Sequence, residues 1–175
     1  MSDDLSYPTG RFTRPATLTP EARDAAIRTI KDTPAAMRRA VSGLGAEQLD
    51  TPYRPGGWTV RQVIHHVPDS HANAYVRLKL ALTEAAPTIK PYDEAAWANL
   101  EDTKSTPIET SLVMLEVIHE RFVRLLAAMS PADFARAYNH PETGLHSLDY
   151  LTAMYAWHGP HHVAHVTRLR QRMGW

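Results

Sequence analysis

The 175-residue sequence predicts an all-α protein built as a four-helix bundle, and three observations carry that expectation. Four long stretches repeat their apolar residues at helical spacing, and no long alternating pattern competes with them. Turn residues and helix-start signals separate the four stretches. Hydrophobic residues make up 43% of the chain, enough to fill one sizeable core.

Residues 1–18 contain Pro8, Gly10 and Pro15 and are expected to form an extended N-terminal arm, with a single bundle domain over 19–175. Thr19 before Pro20 reads as an N-cap with proline at the first helical position, opening a helix to about Leu44 that bends near Pro34. Gly43 and Gly45 close it. After the loop TPYRPGG, Thr59 and Gln62 have capping-box spacing at the start of a second helix, reaching about Ala86 with a kink at Pro68. Thr106, Pro107 and Glu109 repeat the capping logic for a third helix to about Met129. The segment SPADFARAYNHPETG reads as loop, and Ser147 caps a fourth helix to about Arg172. The long connections permit crossover topologies.

Lys plus Arg and Asp plus Glu both number 19, so nothing points to nucleic acid, and a small-molecule partner is expected. The absence of cysteine excludes a disulfide scaffold, a thiolate zinc site and a cysteine nucleophile. No apolar leader or membrane-length run is present, and a cytoplasmic protein is expected.

The segment WHGPHHVAH, residues 157–165, concentrates the chemistry. His158 and His162 are one helical turn apart, the spacing at which two imidazoles can reach one ion. Leu148, Leu151, Tyr155 and Leu169 lie on nearly the same face, so the pair is expected to point inward. The bland alternative is a histidine-rich surface turn. Pro160 should bend the helix; if the helix instead restarted there, the pair would lose its spacing.

A catalytic zinc site keeps three protein ligands and an open position. On the second helix, Val60, Val63, Ile64, Val67, Ala74, Leu78 and Leu82 form the apolar face. His66 flanks that face with Asn73 further along, whereas His65 points nearly opposite, towards solvent or a supporting contact. His66 is thus the expected third ligand. Asp69 and His161 are candidate proton acceptors, with a solvated carboxylate the alternative for Asp69. His71, His119, His140 and His146 carry weaker signals. HExxH is absent, because Val123 stands where the second histidine should follow His119-Glu120, and the Glu-x-x-His motifs of di-iron sites are missing at His66, His158 and His162.

The combination GGWTVRQVIHHVPDSHANAYVRLKLALTE with WHGPHHVAHVTRLRQRMGW, supported by LSYPTG, LDTPYR and PYDEAAW, resembles the YfiT branch of the DinB/YfiT superfamily over almost the whole chain. The resemblance implies an up-down-down-up four-helix bundle and a divalent ion held by His66, eight residues after Trp58, with His158 and His162. It also implies a homodimer and one of two activities: a bacillithiol, or other low-molecular-weight thiol, S-transferase, or a metal-dependent hydrolase. The transferase is the first expectation, the hydrolase the second, and a non-catalytic bundle stapled by metal the third. His161 or His165 as a fourth ligand would favour the third, since structural sites are closed. Zinc is the default ion, with nickel, copper or iron also suited to imidazole. Pro68 and Pro160 depart from the family pattern and bear on the shape of the pocket.

Overall fold

The computed structural model describes residues 5–175. Its elements run α1 (Pro20–Val41), α2 (Ala46–Leu49), α3 (Val60–Thr83), α4 (Glu94–Trp97), α5 (Glu101–Ser105), α6 (Ile108–Ala127), α7 (Pro131–Ala135), β1 (Ala137–His140), β2 (Gly144–Ser147) and α8 (Leu148–Met173). The four long helices, α1, α3, α6 and α8, form the bundle.

Cross-helix contacts fix their directions. Arg38 near the end of α1 meets Glu109 at the start of α6, and Ile30 meets His119, so these two helices are antiparallel. Arg23 meets Asp149 and Arg170 meets the Ala40 carbonyl, so α1 and α8 are parallel. His65 to Ser111 and His71 to His119 make α3 and α6 parallel, while Ser70 to Tyr155 runs α3 antiparallel to α8. The order is therefore up-down-down-up, as the resemblance implies. Parallel neighbours need the long connections seen in the sequence.

The predicted starts of α1, α3 and α8 are realised by their caps. Thr19 accepts from the Ala22 amide, Thr59 and Gln62 form a reciprocal capping box, and Ser147 accepts from the Tyr150 amide. The third start differs. Thr106 is extended and its amide ends α5 on the Asp102 carbonyl, leaving Pro107, which has no side-chain acceptor, at the N-cap of α6. The first helix ends at Val41, the second at Thr83 and the third at Ala127, two to three residues before the expected ends.

Pro34, Pro68 and Pro160 all lie inside continuous helices. The restart at Pro160 does not occur, and His158 and His162 keep their one-turn spacing. The stretch read as loop before α8 contains α7 and an antiparallel hairpin pairing Ala137 with Ser147 and His140 with Gly144.

Two apolar clusters fill the bundle on either side of a polar middle. One gathers Met37, Ile64, Val67, Leu115 and Leu169; the other gathers Ile30, Leu78, Phe122, Leu148 and Leu151. The described part of the arm lies along α8. Trp157 donates to the Gly10 carbonyl, and the Phe12 ring packs edge-on against Tyr150. Residues 1–4 of the expected arm lie outside the described residues. No helix among the described residues is long and apolar enough to cross a membrane.

Candidate metal centre

The polar middle of the bundle is made of histidines from three helices. α3 supplies His65, His66 and His71; α6 supplies His119; α8 supplies His158, His161, His162 and His165. His66, His158 and His162 bring one ring nitrogen each to within 4.8 Å of one another, the only such group of possible ligands among the described residues. The Nε2 atoms of His158 and His162 are 3.2 Å apart. The His66 ring stands 4.9 Å from that of His162 and packs at 4.6 Å on Trp58.

Gly159 explains how α8 can be seated so deep. A Cβ at this position would lie 2.5 Å from Thr33 Cγ2, so the absence of a side chain lets α1 and α8 meet closely beside His158. Thr33 is itself buried and its hydroxyl donates to the Thr29 carbonyl.

Burial governs the protonation of these rings. It pushes His66 and His161 down to about 4, and His158 and His162 well below the usual imidazole range, with neighbouring imidazoles adding to the effect at the last two. The triad is neutral at neutral pH, the state in which imidazole ligates a metal. Three neutral nitrogens converging in a buried pocket fit a divalent ion with an open position.

The remaining predicted residues fall as follows. His161 is buried, stacks on Trp157 at 4.3 Å and shares the cavity beside the triad without joining it. His165 lies behind His162, its Nδ1 3.4 Å from the Nδ1 of His162, and is not one of the three converging residues. Asp69 is not among the residues lining the cavity; burial, with Asp102 nearby, raises its carboxyl to about 6. Asn73 donates to the Asp69 carbonyl. His65 does not face solvent. It is 6% exposed, and its Nδ1 lies 2.7 Å from Ser111 Oγ of α6, because both faces of α3 are covered at this level.

His71 and His119 prove central despite their weak sequence signals. His71 Nε2 lies 3.1 Å from His158 Nδ1, His119 Nε2 lies 2.7 Å from His71 Nδ1, and His119 Nδ1 donates to the Ile30 carbonyl at 2.6 Å. His165 Nε2 likewise donates to the Ser6 carbonyl at 3.3 Å. The partners of His71 and His119, and the Ser6 carbonyl, sit on other segments, so no spacing within one helix could have announced these contacts.

A cavity of about 470 Å³ opens beside the triad. Its walls include Trp58, Arg77, Tyr92, Tyr155 and Trp157, and the hairpin contributes His140 and Glu142. The Arg77 side chain makes neither an ion pair nor a hydrogen bond among the described residues, and it is the cavity's one guanidinium. Such a space can admit a small molecule alongside an ion.

The chain is similar to several known proteins. A family model described as the DinB superfamily matches residues 29–166. A Bacillus mycoides protein named "Putative metal-dependent hydrolase" is 54% identical over 172 residues, covering 98% of this chain and 99% of its own. A Bacillus cereus protein of the same name is 53% identical over 173 residues, covering 99% of each. Among solved structures, YfiT from Bacillus subtilis, described as "a probable metal-dependent hydrolase with an unusual four-helix bundle topology", superimposes with a TM-score of 0.96 at 44% identity over 98% of this chain and 99% of that one. The four-helix bundle protein TT2238 has a TM-score of 0.57 at 20% identity over 81% of this chain and 94% of its own, a likeness of fold alone.

Proposed function

The chain belongs to the DinB superfamily, and from that premise we propose that it is an enzyme that uses one divalent ion, held by His66, His158 and His162, to activate a small nucleophile. The convergence of three neutral imidazoles beside an open cavity carries this reading. A bound ion would supply Lewis acidity, lowering the pKa of a water or thiol at its open position. The names of the relatives favour hydrolysis, with water as the nucleophile.

The protein's own residues do the rest. The three rings fix where the nucleophile stands. His161 stands at the cavity wall, where a proton acceptor would be needed, although burial that holds it at about 4 makes it a weak base; Asp69 does not line the cavity. Trp58, Tyr155 and Trp157 restrict water around the reacting groups, and Arg77 offers a positive charge to an anionic part of the substrate.

Thiol S-transfer, with bacillithiol or a similar thiol as cosubstrate, is the second reading. It is favoured by a cavity with room for more than water and by a chain without cysteine, in which any sulfur nucleophile must come from outside. Zinc is the proposed ion, with nickel or another imidazole-binding metal as substitutes. A homodimer through the exposed Val113, Met114 and Val117 of α6 completes the proposal.

One assay separates the two reactions. Zinc-loaded protein is given ester and amide probes, and separately an electrophile with and without added thiol. Thiol-independent cleavage lost in His66→Ala supports the hydrolase. Electrophile consumption that requires thiol and is lost in the same variant supports the transferase, and the absence of both would refute an enzymatic role for these substrate classes.

A further inference from the structure

The histidines behind the metal ligands form two relays, each ending on a main-chain carbonyl. We propose that His71, His119 and His165 are positioning residues that hold His158 and His162 in the tautomer presenting Nε2 to the ion. The inference rests on the reading of His66, His158 and His162 as a metal site, and deepens it.

The first relay begins at a proline. In an α-helix the amide of residue 34 would bond the carbonyl of residue 30, but Pro34 has no N–H, so the Ile30 carbonyl is left without its helical partner. His119 Nδ1 fills the vacancy. A carbonyl only accepts, so the hydrogen must be on His119 Nδ1, and the Nε2 of a neutral ring is then an acceptor. It can only receive from His71 Nδ1, which makes His71 Nε2 an acceptor in turn. That nitrogen receives from His158 Nδ1, and the lone pair of His158 is thereby placed on Nε2.

The second relay is shorter and follows the same logic. The Ser6 carbonyl requires the hydrogen on His165 Nε2, so His165 Nδ1 accepts from His162 Nδ1, and the lone pair of His162 also falls on Nε2.

The two relays end on the carbonyls of Ile30 and Ser6 and converge on one arrangement. The Nε2 atoms of His158 and His162 are 3.2 Å apart, within hydrogen-bonding reach of one another; with both hydrogens drawn to Nδ1 by the relays, neither Nε2 carries the proton that could bridge them, and a cation takes its place. The same two atoms are the ones an ion between these rings would use. Hydrogen bonds to the far nitrogen of a metal-binding imidazole fix its tautomer and raise its basicity. His66 has no such relay among the described residues; its ring rests on Trp58.

Two measurements test the proposal. Imidazole nitrogen NMR of the ¹⁵N-labelled, metal-free protein near neutral pH should find His71, His119, His158 and His162 protonated on Nδ1, and His165 on Nε2. Protonation of His158 or His162 on Nε2 would overturn the proposal, and this readout does not depend on metal binding. Zinc affinity by chelator competition should then fall about 10- to 100-fold in His119→Leu. His119→Gln, whose side-chain oxygen can accept from His71, should recover most of the loss. Folded His119→Leu binding zinc as tightly as the wild type, or His119→Gln losing as much as His119→Leu, would also overturn it. His66→Ala serves as the control: unchanged zinc affinity there refutes the three-histidine site itself, while the tautomer pattern still judges the relays.

Discussion

The His119 imidazole donates to the carbonyl of Ile30 at 2.6 Å, inside a helix where the usual donor to that carbonyl would have been residue 34, a proline. A residue that costs α1 a hydrogen bond thus supplies the acceptor on which a chain of buried imidazoles ends. Buried polar groups need partners, and here the partner was made available by a break in helix bonding.

The ligand assignment predicts a contrast between adjacent histidines. His158→Ala should lose stoichiometric zinc, whereas His65→Ala, which removes a contact to Ser111 away from the triad, should retain one ion per chain. Metal analysis after dialysis checks both; equal losses would contradict the assignment.

Gly159→Ala should destabilise the protein by about 1–3 kcal/mol, because the new methyl group meets Thr33 in a closely packed helix pair. Urea denaturation measures the loss. Pairing the change with Thr33→Ser, which removes the nearest atom, should recover part of it.

The Arg23–Asp149 pair joins the first turns of α1 and α8 through two contacts, of 2.8 and 2.9 Å, and both side chains are largely buried. Asp149→Ala leaves the guanidinium without its partner and should cost about 3 kcal/mol. In a double-mutant cycle, Arg23→Ala should add much less on that background than it costs alone.

Acid should destabilise the metal-free protein steeply. His119 is held at about 4 by burial, against an ordinary 6.5, so the unfolded chain takes up the proton first. Its contribution is complete above pH 6.5 and is lost as pH falls towards about 4, at about 1.4 kcal/mol for each unit of pH within that window. His66 acts over the same window, and His71, His158 and His162, held well below the usual imidazole range by burial, add to the loss in acid. Asp69, raised to about 6, opposes them between about 6 and 3.8 but is outnumbered. Urea midpoints should stay level from pH 7.5 to about 6.5 and fall from there to pH 4.5; a flat profile over the whole range would contradict the buried, neutral histidines.

Much of the bundle was legible because its signals are local. Thr19, Thr59 and Ser147 announce helix starts through their own side chains, and His158 and His162 share one turn of one helix. The helices of four or five residues and the four-residue strands are too short to show a period, and they went unread. Of the two expectations for His65, solvent or a supporting contact, the solvent one fails because a helical wheel locates one apolar face and cannot tell that α6 covers the other side. The roles of His71, His119 and His165 depend on rings or carbonyls brought together only by the fold, as does the cavity wall formed by Arg77, Tyr92 and the hairpin.

The most direct test of the metal centre is the crystal structure of the zinc-loaded protein, with the ion located by its anomalous scattering. One ion bound by His66 and by Nε2 of His158 and His162, with a position open to the cavity, is the predicted result. An ion elsewhere, or one closed off by His161 or His165 as a fourth ligand, would contradict it.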